Sequence, residues 1–227
     1  MPQFKWMHTL VLKLEKDFQL QMTDRECISF DNNEYLMGIE HIGALFNAIL
    51  YKRVLSIDYQ SFNSAQSKTI VLSPYYLKQF NNRWFLFGKS PNYDSLTNLA
   101  LDRIDSIEEL DFSYETTSLD FDEYFEDVLG VTVLAEAELT KITFRVSESL
   151  APYIQTKPIH GSQKQLSENP DEFIFTIELL PNYELETHLL AFGEDLTVLE
   201  PEDFRDKLRD RLFKSIEKYS KVSFERQ

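Results

Sequence analysis

Cysteine is almost missing from this chain of 227 residues: Cys27 stands alone, which excludes an intrachain disulfide framework and a cysteine-based zinc site. A lone thiol fits a reducing compartment, and the chain is read as cytoplasmic. Glycine is scarce as well. Gly38, Gly43, Gly88, Gly130, Gly161 and Gly193 never fall into a GxGxxG or GxxxxGKS loop, so dinucleotide and P-loop chemistry have no local signature. His8, His41, His160 and His188 are dispersed, with no HExxH and no paired ligand spacing, so no metal or cofactor is expected. Cys27 has no histidine near it in sequence that would activate a thiolate. With no nucleophile, base or metal signature, the reading is non-enzymatic. Apolar runs such as Leu45–Leu50 are far short of the ~20 residues of a membrane helix. The opening Met1-Pro2-Gln3-Phe4-Lys5 has no signal-peptide core, and no membrane partner is expected. Positive charge is also in deficit: 23 bases face 38 acids, a net −15 that opposes general adhesion to polyanions.

Apolar and aromatic residues, by contrast, are plentiful at 43% and 14%, enough for a proper core in one large or two small domains. Met7, Leu10, Val11, Leu14 and Phe18 lie on one helical stripe, and Ile39, Ile42, Leu45, Phe46, Ile49 and Leu50 on another. From Val54 the period changes to two. Strands are expected at Val54–Tyr59 and at Lys68–Leu72, with Pro74 ending the second. Tyr75–Phe80 and Arg83–Gly88 follow, flanking a tight Asn81-Asn82 turn, then Leu96–Ile104 and Ile107–Phe112. Short strands behind a helix predict a small barrel or a strongly bent antiparallel sheet.

Residues 115–139 hold eight acids and no Lys or Arg. Calcium binding there is disfavoured, because Phe125 stands where an EF-hand needs glycine, and a solvated acidic connector containing a short helix is the expectation. Beyond it, strands at Ile142–Val146, Lys157–Gln163, Phe173–Leu180 and Leu196–Leu199 alternate with helices at Ser147–Ile154 and from Pro181-Asn182 to Gly193. An amphipathic helix after Pro201 closes the series. The order βαββαβ plus a helix is the ferredoxin-like pattern. The expected organisation is therefore α+β: an N-terminal helix and linker over 1–37, a barrel domain over 38–114, the acidic connector over 115–139, and a ferredoxin-like domain over 140–227.

Charge is unevenly spread. Between Tyr51 and Arg103 there are seven bases and three acids, a local +4 that leaves −19 for the rest of the chain. Such an island fits an anion or single-strand site, and it fits equally a set of cations paired with neighbouring acids. The aromatic run Tyr75, Tyr76, Phe80, Trp84, Phe85 and Phe87 has the same two readings, a stacking platform or ordinary strand packing.

Three blocks carry a family likeness: Ser73-Pro74-Tyr75-Tyr76-Leu77-Lys78, Arg83-Trp84-Phe85-Leu86-Phe87-Gly88, and Leu99-Ala100-Leu101-Asp102-Arg103-Ile104. In order and spacing they resemble the WYL domain, with Trp84-Phe85-Leu86 matching its Trp-Tyr-Leu tripeptide except for Phe at the second place. His160-Gly161-Ser162-Gln163, Leu189-Leu190-Ala191-Phe192-Gly193 and Val198-Leu199-Glu200-Pro201 resemble the WCX extension that follows WYL domains. The resemblance covers roughly residues 38 to 222. It implies an Sm-like, SH3-type barrel followed by a ferredoxin-like module, the sensory part of a bacterial transcriptional regulator. It further implies a nucleotide or single-stranded nucleic acid effector and a homodimer. Duplex DNA would be bound only through a helix-turn-helix, which this chain lacks. Where the family often has Arg-x-Phe-x-Leu-Asp-Arg-Ile, Thr97 replaces the first arginine. On this reading Arg103 and Arg83 offer guanidinium forks to phosphate, Lys78 a point charge and Tyr76 a stacking face, while Trp84 belongs to the barrel core. The rival reading is a protein interaction or dimerisation module whose ligand site has decayed.

Overall fold

The computed structural model describes residues 37–62, 64, 66–134, 136–166 and 172–221. The helix expected over Met7–Phe18, and Cys27, lie outside them. The chain divides into two compact units between Ser118 and Leu119.

In the first unit a 3-10 turn, Ile39–His41, leads into α1, Ile42–Leu50. Leu45 and Ala48, three apart on α1, are its buried residues, and the helix packs on the sheet through them. Five antiparallel strands follow: β1 Val54–Tyr59, β2 Lys68–Phe80, β3 Arg83–Lys89, β4 Thr97–Ala100 and β5 Ile104–Leu110, in the order β4-β3-β2-β1-β5. Leu45, Leu55, Ile57, Leu72, Leu86, Leu99, Leu101 and Ile104 form the core. Each buried Leu or Ile contributes roughly 1.5–3 kcal/mol.

Pro74 does not end a strand, as the sequence suggests; it sits inside β2. The first half of β2, Lys68–Leu72, pairs with β1, and the second half, from Ser73, pairs with β3. The register slips between Pro74 and Tyr76, a bulge, which is where a strand tolerates a residue without an N–H. The shared strand bends there, and the sheet turns with it. Asn81 and Asn82, at φ 48° and 58°, form the two-residue β2–β3 turn, both in the left-handed region that asparagine tolerates. The strand expected over Leu96–Ile104 is interrupted: β4 stops at Ala100, and a 3-10 turn, Leu101–Arg103, precedes β5, which starts three residues earlier than expected. The edges β4 and β5 are linked by that turn and do not pair, so among the described residues the unit is an open bent sheet and not a closed barrel.

The second unit opens with α2, Phe121–Tyr124, one helical turn capped by Asp120, whose carboxylate accepts from the N–H groups of Asp122 and Glu123. The acids of the connector thus begin as a helix cap. After it come β6 Thr140–Val146, α3 Ala151–Thr156, β7 Lys164–Gln165, β8 Phe173–Leu179, α4 Tyr183–Leu190, β9 Leu196–Glu200 and α5 Glu202–Ser220. The sheet order β7-β8-β6-β9 with all pairs antiparallel is the ferredoxin-like arrangement. Phe144 and Phe175 stack at 5.9 Å at its centre. The strand expected at Lys157–Gln163 is instead a loop, with only Lys164–Gln165 extended. The sequence there is held by His160 and Ser162, whose hydroxyl accepts from Glu178 N–H at 2.8 Å. Gly193, expected to end α4, lies three residues past it and opens a 3-10 turn at φ 58°.

Candidate anion site

Directly paired residues of an antiparallel ladder project to the same face. The rows Tyr76–Phe87–Asn98, Lys78–Phe85–Ala100 and Phe80–Arg83 succeed one another at two-residue steps, so Tyr76, Lys78 and Arg83 share one face of the sheet. The opposite row, Leu77–Leu86–Leu99, supplies core. Trp84 packs against the same core, as expected of it. Half-burial of Lys78 strips water from its ammonium and pulls its pKa below the usual lysine range. The residues after β5 pack at the bend of β2. Tyr114 donates to Pro74 O and packs edge to face on Tyr75 at 5.9 Å, and Glu115 N–H donates to Ser73 Oγ at 3.1 Å. Burial, with the charge of Glu115 beside it, pushes the Tyr75 phenol up to about 12.

The basic island resolves cation by cation. Arg83 Nε lies 3.4 Å from Asp102 Oδ2, so part of its charge is committed to the turn after β4. With Arg83 nearly half exposed, such a pair contributes little, about 0–1 kcal/mol. Lys89 Nζ donates to the carbonyls of Tyr93 and Asp94, both at 2.7 Å, bracing the β3–β4 loop. Arg103 is different. Among the described residues it forms no ion pair, and its Nε is buried without a hydrogen-bond partner. Residues of a 3-10 turn step by about 120°, so the adjacent Asp102 and Arg103 project in different directions. Asp102 faces β3. The Arg103 guanidinium lies over the ring of Phe62, 4.1 Å from its centroid, on the β1–β2 connection.

The structure thus groups Tyr76, Lys78 and Arg83 on the sheet face, and turns Arg103 toward an aromatic that the sequence reading did not single out. Phe62 is an isolated aromatic in a polar loop and belongs to no periodic pattern; only its exposure and the guanidinium above it mark it. Thr97, at the place of the missing family arginine, pairs with Gly88 and so lies on the core side of β4, where its Oγ1 is buried without a partner among the described residues. On the second unit a groove of about 960 Å³ runs past Lys141 and Arg205, but Glu172, Glu200 and Glu202 also line it, so it has no bias toward anions. Among the described residues no cluster of His, Cys, Asp or Glu could hold a metal ion, and no helix is long and apolar enough to cross a membrane.

The fold is that of a chain in which a bent five-stranded sheet with a leading helix is followed by a ferredoxin-like module. Family models for the WYL domain and the WCX domain match residues 40–109 and 138–214. The chain carries a WYL domain followed by a WCX domain. Comparison with curated proteins found no match. Among solved structures, proteasome accessory factor B/C of Arthrobacter aurescens is similar at 16% identity and TM-score 0.35, the likeness covering 85% of this chain and 29% of that one. A CRISPR Cas-related protein is similar at 14% identity and TM-score 0.48, over 81% of this chain and 52% of its own. The chain therefore spans about a third to a half of the length of these relatives.

Proposed function

We propose that this chain is the effector-sensing portion of a WYL-type transcriptional regulator, without enzymatic activity, and that its first unit binds a nucleotide or a single-stranded nucleic acid. One observation carries this reading: Arg103 has a buried, unpartnered Nε and no acidic partner among the described residues, within the +4 segment of a −15 chain. A guanidinium left without an acid is poised for the bidentate grip that phosphate accepts. Lys78, Arg83 and Tyr76 are the supporting residues. Arg83 contributes less than Arg103, because Asp102 already holds it. Contact with duplex DNA belongs to a helix-turn-helix, which none of the described residues forms.

The test is fluorescence anisotropy with short labelled single strands and mononucleotides at low salt. Wild type is expected to bind with an affinity that falls as salt rises, each neutralised phosphate steepening the log–log slope by about 0.7. Arg103→Ala is expected to weaken binding by tenfold or more, roughly 1.4 kcal/mol, and Arg83→Ala by less. Absence of binding by wild type across the panel would refute the reading.

A second reading, an interaction or dimerisation module, draws on α5. Its first turns bury Phe204 and Leu208, whereas Leu212, Phe213, Ile216 and Tyr219 stand exposed, Tyr219 at 82%. Sedimentation equilibrium is expected to show a concentration-dependent dimer that Leu212→Glu with Ile216→Glu dissociates. A monomer at every concentration would eliminate this reading.

A further inference from the structure

We propose that Phe62 is the base-stacking element of the Arg103 site, which makes the ligand a nucleobase-bearing phosphate and not a bare anion. This inference rests on the anion-binding reading of Arg103 and deepens it.

Among the described residues only Arg103 makes a ring contact with Phe62. Arg103 Cζ lies 4.1 Å from its centroid, yet the residue remains 70% exposed, so the ring presents its other face to solvent. The cation–π contact does little to account for an aromatic in this place, since at exposed sites it contributes only about 0.5–1 kcal/mol. Nor is the ring part of the core, whose members are drawn from α1, the strands and the Leu101–Arg103 turn.

Described residues on both sides of it are tied by hydrogen bonds. Gln60 N–H donates to the carbonyl of Arg103 at 2.9 Å, so the same residue that covers the ring also tethers the chain two positions before it. On the other side Ser64 N–H donates to Ser61 O at 3.0 Å, Ser64 Oγ donates to Gln66 O at 2.9 Å, and Gln66 N–H donates back to Ser64 Oγ at 3.2 Å. An exposed ring flanked by residues tied through these hydrogen bonds gives up less conformational freedom when a flat partner settles on it. A stacked base would extend the series guanidinium, ring, base, while its phosphate reaches the N–H groups of Arg103. Stacking tolerates any base, because every base has a π-face. An inorganic anion or a sugar phosphate would use the guanidinium and leave the ring idle, so Phe62 separates the two ligand classes.

The experiment uses the full chain and two labelled probes of equal length and phosphate count, an oligothymidylate and an abasic oligomer with the same backbone. Wild type is expected to prefer the oligothymidylate by about tenfold. Phe62→Ala should abolish the preference, bringing the oligothymidylate affinity down to that of the abasic probe. Phe62→Trp should keep the preference and report stacking by quenching of its emission. Arg103→Ala should weaken both probes together. Equal affinity of wild type for the two probes, or a preference that survives in Phe62→Ala, overturns the role of Phe62 while the anion site stands. Failure of both probes to bind wild type overturns the anion reading and this inference with it.

Discussion

Gly38→Ala is expected to destabilise the first unit by about 3 kcal/mol and to weaken single-strand binding as strongly as Arg103→Ala does. Gly38 sits at φ 84°, a left-handed conformation that an alanine adopts only under strain. A Cβ there would also run into the carbonyl group of Leu101 and come within 2.7 Å of Asp102 N. These are backbone atoms of the very turn that presents Asp102 to Arg83 and Arg103 to Phe62, so neither can swing aside. Strain of 1–3 kcal/mol and overpacking of similar size combine. From the same segment His41 Nε2 reaches Ile104 O at 3.1 Å, so residues 38–41 brace the turn at both ends. Urea unfolding followed by tryptophan emission measures the effect, because Trp84 packs against the core of this unit and no tryptophan follows Ser118. An unchanged midpoint would show that the turn yields freely and that Gly38 does not position Arg103.

Gly88→Ala should cost about 2–3 kcal/mol for a purely steric reason. Gly88 pairs with Pro74 at the bend of β2, and a Cβ added there would stand 2.5 Å from Ser73 O and 2.8 Å from Cγ and Cδ2 of Leu72. Leu72 is fully buried, so its side chain has nowhere to retreat. The bend needs this close approach, and widening it would separate the β1 half of the sheet from the β3 half. Gly43→Ala on α1 is the control: its Cβ would meet open space, and alanine is the better helix former, so no loss of stability is expected. Equal stability of Gly88→Ala and wild type in the same urea assay would disprove the close-packed bend.

What was legible in the sequence follows from local physics. Alternation over Val54–Tyr59, the Asn81-Asn82 turn and the three-and-four spacing of α1 each depend on neighbours within a few residues, and each is found where the pattern puts it. Pro74 misled because proline normally stops a ladder. Here β2 changes partner at that point, and a change of partner leaves no mark on the strand's own sequence. The Leu101–Arg103 turn was hidden for a related reason: three residues of 3-10 helix have too short a period to stand out from a strand. At the candidate site the residue types were readable, but the pairing was not. Asp102 is adjacent to Arg103 in sequence and is engaged by Arg83, nineteen positions away, because the turn rotates the two side chains apart. Phe62 could be found only once the loop was folded against Arg103.

The unclosed sheet leaves β5 as an edge among the described residues, with a row of backbone donors and acceptors open to any passing strand. Asp105, Glu108 and Glu109 are the exposed side chains of that strand. A second β5 approaching in antiparallel register would bring carboxylates against carboxylates before a single ladder bond could form. The three acids of β5 thus oppose self-pairing along the edge that closure into a barrel would have removed.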